Sequence, residues 1–227
     1  MTMHIQGVLD PEELRRCRAT LAGAPWLDGR ATAGDQSARA KRNLQAAEGS
    51  PEVAAAGELV LRALGRNAGF MSAALPLRVY PPLFNRYGEG MSFGGHVDNA
   101  IRTSPVSGQS YRTDLSATLF LSDPGDYDGG ELVIGEGAFA ARVKLAAGDV
   151  VLYPTTSVHR VEPVTRGERW ASFFWVQSLV ADPGQRTLLR DLDRAIGAAR
   201  EGLGDEHPAA VSLVGAYHNL VRMWAQP

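Results

Sequence analysis

At 227 residues, with 44% hydrophobic and 21% charged side chains, the chain is long enough for one large domain with its own core, and this balance excludes wholesale disorder. Its 23 basic and 25 acidic residues give a net charge of −2, so no basic excess exists to neutralise a phosphate backbone, and no nucleic-acid partner is expected. A lone Cys17 excludes a disulfide framework and a cysteine-rich zinc site; the lack of a signal pattern or a long apolar run predicts a cytoplasmic protein without a membrane partner.

Residues 1–76 read as a mostly helical support region. His4–Leu9 suits a short strand. Asp10 then caps a helix, with Pro11 at the first helical position and Glu13 completing a capping box. Gly29–Lys41 is small and polar and predicts a loop. Ser50-Pro51-Glu52 repeats the helix-start signal, and Val53, Leu59, Leu61 and Leu64 follow in a helical context.

The character changes over residues 77–180. Short apolar runs (Leu115–Leu121, Glu131–Ile134, Val150–Tyr153, Trp170–Val176) alternate with turn signals such as Asp128-Gly129-Gly130 and Arg166-Gly167. That spacing is all-β, and the length suits a two-sheet jelly roll. The helical period returns over 181–227. Leu188, Leu189, Leu192 and Ile196 form one stripe; Val211, Val214, Tyr217, Leu220, Val221 and Trp224 form another, with Pro183 and Pro208 at the helix starts. These helices are expected to pack on the β domain or in a homo-oligomer contact. The fold class is therefore α+β: a double-stranded β-helix (jelly roll) with N-terminal helices packed on it and a C-terminal helical extension.

Of the 5 histidines, two fall in the β region: His96, within His96-Val97-Asp98, and His159. Residues i and i+2 of a strand face one side, so this imidazole and carboxylate would converge. His159 would come from another strand. Two neutral imidazoles and one carboxylate on one face of a metal leave the opposite positions open, the triad of non-haem Fe(II) oxygenases. His-x-Asp alone is weak, and by itself it is more often explained by surface hydrogen bonds; Gly94-Gly95 before it allows close backbone packing near a bound group. Arg169, at the mouth of the strand Trp170–Val176, needs an anion. An internal carboxylate would serve, as would a ligand carboxylate gripped by the guanidinium fork. A jelly roll, which sends successive strands to opposing sheets, would let Arg169 and His159 face one another.

Several longer segments sharpen this. Pro82–Tyr87, Gly95–Asp98, Arg112–Asp123, Tyr127–Leu132 and Ala147–Asp149 onward to Arg169 resemble the PKHD-type hydroxylases, bacterial relatives of prolyl hydroxylases among the iron(II)- and 2-oxoglutarate-dependent dioxygenases. The subgroup most resembled is associated with iron uptake. The likeness runs nearly end to end, including Gly7-Val8-Leu9 and Tyr217-His218-Asn219-Leu220. It implies Fe(II) held by His96, Asp98 and His159, and 2-oxoglutarate held by Arg169, with Tyr87 also reaching the co-substrate. Some superfamily members carry a serine two residues after the arginine; Ala171 stands there in this chain, so a second donor must come from elsewhere, such as Tyr87 or Thr118.

The implied activity hydroxylates an unactivated C–H bond with release of succinate and carbon dioxide, supported by L-ascorbate (vitamin C). Phe173 and Trp175 would line or support the barrel interior. Dioxygen and a small-molecule, peptide or protein substrate would be the partners, and Asn99–Tyr111 would be the lid. A zinc hydrolase, a metal-free binding module and an iron- or 2-oxoglutarate-linked sensor are the competing readings of the same residues.

Overall fold

The structure, a computed structural model, describes residues 2–32 and 40–227. Its N-terminal part contains β1 (Met3–Ile5), α1 (Pro11–Ala22), β2 (Trp26–Asp28), β3 (Lys41–Arg42), β4 (Leu44–Ala46), α2 (Pro51–Arg66) and α3 (Ala68–Ala74). The β region follows with β5 (Pro76–Val79), β6 (Leu83–Tyr87), β7 (Ser92–His96), β8 (Ile101–Thr103), β9 (Ser110–Arg112), β10 (Leu115–Phe120), β11 (Tyr127–Gly129) and β12 (Leu132–Ile134). It continues through β13 (Ala141–Val143), β14 (Val150–Pro154), β15 (His159–Val161), β16 (Val164–Gly167) and β17 (Arg169–Ser178). Two helices, α4 (Pro183–Leu203) and α5 (Pro208–Trp224), close the chain. No described helix is long and apolar enough to cross a membrane.

Two antiparallel sheets make the jelly roll. The larger runs β1-β14-β10-β17-β6-β4-β2, with β5 on β17; the smaller runs β13-β12-β15-β7-β3. From β6 onward the chain passes from one sheet to the other, which brings β7 and β15 opposite β10 and β17. The large sheet is buried on both faces, and its alternation sorts the residues between them. Leu115, Ala117 and Leu119 of β10 and Trp170, Phe174 and Val176 of β17 pack with Cys17, Leu21, Val60, Leu64 and Phe70 of the N-terminal helices. Thr118, Arg169, Phe173 and Trp175, on the other face, line the space between the sheets. All of β10 is buried for this reason.

The helix starts follow their sequence signals. Asp10 Oδ1 accepts from Glu13 N at 2.8 Å while Asp10 N donates to Glu13 Oε2 at 3.1 Å, and Ser50 Oγ accepts from Val53 N at 3.3 Å. Several expectations need correction. The first strand stops at Ile5, because Gly7 turns the chain at φ +59°. Residues 1–76 also supply four strands, too short to carry a readable period. Within Gly29–Lys41, residues 29–32 form a 3-10 turn and Lys41 opens β3; residues 33–39 lie outside the described residues. Asn99–Tyr111, the expected lid, carries most of the β8–β9 ribbon.

The two turn signals are strand ends. Asp128-Gly129 and Arg166-Gly167 belong to the β11–β16 pair, which carries a bulge at Asp128/Gly129. Gly167 has φ +72°, and a Cβ there would lie 2.1 Å from Asp126 O. We expect Gly167→Ala to destabilise the protein by more than the roughly 1–2 kcal/mol of a left-handed backbone alone, measured by urea denaturation.

The C-terminal helices dock on the chain itself. Leu189 and Ile196 are buried, Ser72 Oγ donates to Asp193 Oδ2 at 2.5 Å, and Gln226 N donates to Leu179 O at 2.7 Å. The α5 stripe is only half-covered: Val211 is exposed, and Val214, Tyr217, Leu220, Val221 and Trp224 are half-buried. Truncation after Val180 should uncover this contact and cost at least ~2 kcal/mol, read as insoluble protein or a Tm fall of about 4 °C or more.

Candidate functional site

β7 and β15 lie side by side in the small sheet, with His96 and His159 as register partners. Their ring centroids are 4.2 Å apart. β7 ends at His96, so Asp98 reaches the same point from just beyond the strand. Asp98 Oδ1 lies 3.8 Å from His96 Nε2, and Oδ2 lies 3.7 Å from His159 Nε2. One ligand atom from each of the three falls within 4.8 Å of the others.

Hydrogen bonds set the imidazoles' tautomers. His96 Nδ1 lies 2.9 Å from Gly94 O, and His159 Nδ1 lies 3.1 Å from Ser157 O. A carbonyl only accepts, so each Nδ1 carries the proton and each Nε2 presents a lone pair toward Asp98. Burial, reinforced by His159, pushes the His96 pKa down to about 4, which keeps that lone pair available. The Phe93 ring stacks on His96 at 3.7 Å between centroids. Ser116, on the inner face of β10, donates to Asp98 Oδ2 at 2.7 Å, and its oxygen lies 3.1 Å from Thr155 Oγ1. Gly94 permits the close approach of the chain behind this turn, since a Cβ there would meet Ala40 Cβ at 2.9 Å.

These side chains open onto a cleft between the sheets of about 870 Å³, counted to its open mouth. Arg169 lies in the same cleft, on the opposing sheet, and is 1% exposed. It is the register partner of Tyr87, and its guanidinium carbon lies 5.4 Å from the Tyr87 ring centroid and 5.2 Å from that of Phe120. Among the described residues Arg169 makes no ion pair, and its Nε has no hydrogen-bond partner. The internal carboxylate considered as an alternative partner is therefore absent from these residues. Tyr87 is buried and lines the cleft, and burial raises its phenol pKa. Thr118 and Tyr153 line it too; burial pushes the Tyr153 phenol up more strongly.

Sequence reasoning passed over Ser116, Tyr153 and Lys41. Ser116 and Thr118 had a signal: two polar residues at strand spacing inside the apolar run Leu115–Phe120 mark a face turned toward something polar. Lys41 had none, because β3 is two residues long.

Comparison with known proteins gives three kinds of likeness. Residues 82–177 match the family described as the 2OG-Fe(II) oxygenase superfamily, and residues 183–226 match the PKHD-type hydroxylase C-terminal domain. The chain is 57% identical over 226 residues to a PKHD-type hydroxylase of Methylobacterium nodulans, and 58% identical over 226 residues to one of Gluconobacter oxydans, covering 100% of both chains in each case. Among solved structures, an oxidoreductase of the 2OG-Fe(II) oxygenase family from Burkholderia pseudomallei superposes with a TM-score of 0.51 at 21% identity, over 78% of this chain and 84% of that one. A Trichoplax adhaerens prolyl hydroxylase, in complex with a hypoxia inducible factor peptide, superposes with a TM-score of 0.53 at 14% identity, over 82% and 86%. These two show the fold.

Proposed function

The chain belongs to the PKHD-type hydroxylases of the 2OG-Fe(II) oxygenase superfamily and is an oxidoreductase; from that premise we propose that it is a cytoplasmic Fe(II)- and 2-oxoglutarate-dependent dioxygenase that hydroxylates an unactivated C–H bond. The observation that carries the co-substrate assignment is Arg169: a buried guanidinium with an unpartnered Nε, facing the same cleft as two imidazoles and a carboxylate. The residues fit both groups. Two lone-pair-bearing Nε2 atoms and one carboxylate suit Fe(II), and a buried cation without an ion pair suits a ligand carboxylate.

When bound, Fe(II) and 2-oxoglutarate supply the oxidation: one oxygen atom of O2 enters the substrate C–H bond as hydroxyl, the other enters succinate, and carbon dioxide leaves. His96, Asp98 and His159 would hold the ion from one side and leave its other side open to the cleft. The Nδ1 bonds to Gly94 O and Ser157 O fix the two rings, and Ser116 fixes the carboxylate. Arg169 would grip the far carboxylate of 2-oxoglutarate, with Tyr87 and Thr118 supplying the second donor that Ala171 does not. Phe93, Phe173 and Trp175 form apolar walls that limit water around the reacting centre.

In this reading residues 77–180 carry catalysis, residues 1–76 support the sheet, and residues 181–227 form the C-terminal extension. L-ascorbate supports turnover, and the physiological role lies in iron or siderophore uptake, as the resemblance implies. Succinate release from iron-loaded enzyme with 2-oxoglutarate, together with a cell-extract product heavier by one oxygen atom, is the expected result. Iron-loaded enzyme that releases no succinate, with or without extract, would sink the enzymatic reading in favour of a sensor.

A further inference from the structure

The two glycine turns that stand out in the sequence serve one residue. β11 pairs with β16 so that Tyr127 lies opposite Gly167, two residues before Arg169. Gly167 has φ +72°, and a Cβ there would lie 3.1 Å from Tyr127 Cα. Gly130 has φ +66°, and a Cβ there would lie 3.0 Å from Tyr127 Cε2 and 3.1 Å from Cδ2. One turn lets the Tyr127 backbone approach, and the other makes room for its ring, at positions where only glycine is unstrained. Lys144 covers that ring: its Nζ lies 4.1 Å from the ring centroid and donates to Tyr127 O at 2.7 Å.

The phenol seated in this way faces Arg169. Tyr127 is 0% exposed and packs in one buried cluster with Tyr87 and Phe120, the rings beside the guanidinium. Burial raises the Tyr127 phenol pKa, while the Arg169 charge and a side-chain hydrogen bond with Arg169 act against that rise. The bond is a loose one: among the described residues neither the Tyr127 hydroxyl nor Arg169 Nε has a partner at full hydrogen-bond geometry. Both are buried polar atoms, and tightening the contact between them would satisfy both. Tyr127 does not line the cleft, so it reaches a ligand there only through Arg169. A phenol oxygen accepts from Nε–H, and a guanidinium held at Nε presents its two terminal nitrogens as a fork.

We propose that Tyr127 is a positioning residue for the co-substrate: its hydroxyl, seated behind Arg169 by the Gly129-Gly130 and Gly167 turns, accepts from Arg169 Nε and turns the guanidinium fork into the cleft. This rests on the co-substrate reading above and names what aims Arg169 for it. It also gives the two turn motifs a functional purpose beyond ending strands.

The test titrates 2-oxoglutarate calorimetrically into the Fe(II)-loaded full chain under argon. Tyr127→Phe keeps the ring and removes one oxygen atom. It should weaken binding about fivefold or more, the worth of one ordinary hydrogen bond. The Tm should stay within about 3 °C of wild type, because no well-formed bond is lost. In air, the apparent KM for 2-oxoglutarate should rise by the same factor while kcat at saturation holds. In the Arg169→Ala background the substitution should change affinity by less than about twofold, since the hydroxyl acts only through that arginine. Tyr217→Phe, on α5, is the control and should match wild type throughout. Three results overturn the assignment. Unchanged affinity in Tyr127→Phe removes the role, a loss that persists without Arg169 makes the action independent of it, and a Tm lowered by more than about 3 °C makes the hydroxyl structural. Wild-type protein that binds no 2-oxoglutarate would sink the co-substrate reading and this role with it, whereas binding that Tyr127→Phe leaves intact would sink this role alone.

Discussion

Alanine at His96, Asp98 or His159 is expected to abolish iron-dependent succinate formation while the fold survives. The magnitude has a lower bound from its neighbours. Removing only the hydrogen-bond partner of a metal ligand costs 10–100-fold in affinity or activity, so removing the ligand itself should cost more than about 100-fold. Ser116→Ala provides that milder step here: it deletes the donor to Asp98 Oδ2 and should fall in the 10–100-fold range. The fold should persist because the three side chains sit at one end of the small sheet, while the main core lies under α1, α2 and α3 on the far face of the large one. Bound iron measured by elemental analysis, beside a thermal melt, separates loss of metal from loss of structure. His4, His207 and His218 are the controls. His4 pairs with Asp149 at 2.7 Å, His207 caps α5, and His218 is exposed, so alanine at these positions should leave iron content unchanged. Near-normal iron content and turnover in any of the three cleft variants would remove that residue from the assignment.

What could be read in advance depended on how far each signal reaches along the chain. The helix starts at Asp10, Ser50, Asp182 and His207 lie next to their prolines, and capping is a local interaction. The strands β10, β14 and β17 announced themselves because both faces are buried, which turns each into a dense apolar run. The short strands β2, β3 and β4 did not, since two or three residues hold no period and their existence depends on partners far away in sequence.

The same division runs through the candidate site. His96 and Asp98 stand out as a pair because they are adjacent. His159 became a candidate as the other histidine of the β region and Arg169 as a charge at the mouth of an apolar strand, but their meeting across the cleft depends on a topology that no local pattern encodes. Lys41 and Ser116 reach the cleft through contacts that only the folded chain brings together. Arg102 was visible in the sequence as a charge in the segment Asn99–Tyr111 expected to be the lid; its stacking on Trp175 is a property of the ribbon.

Arg169→Ala is expected to raise the apparent KM for 2-oxoglutarate by roughly 30-fold or more, the loss typical of a bidentate charge-assisted contact at about 2–5 kcal/mol. Arg169→Lys should recover only part, because an ammonium presents no fork. Iron content should be unchanged, since the guanidinium is no ligand. Arg169→Met decides between the two roles open to a buried arginine, because it keeps most of the volume and removes the charge. If Arg169 were half of a structural ion pair, breaking the pair would strand a buried carboxylate and cost about 3–5 kcal/mol. No such carboxylate accompanies it among the described residues, where its guanidinium lies beside the rings of Tyr87 and Phe120. The ligand-free Met variant should therefore melt at or above the wild-type temperature while binding 2-oxoglutarate poorly. The opposite pattern, a Tm lowered by about 6 °C or more with 2-oxoglutarate affinity intact, would return Arg169 to a structural role and place the co-substrate carboxylate elsewhere.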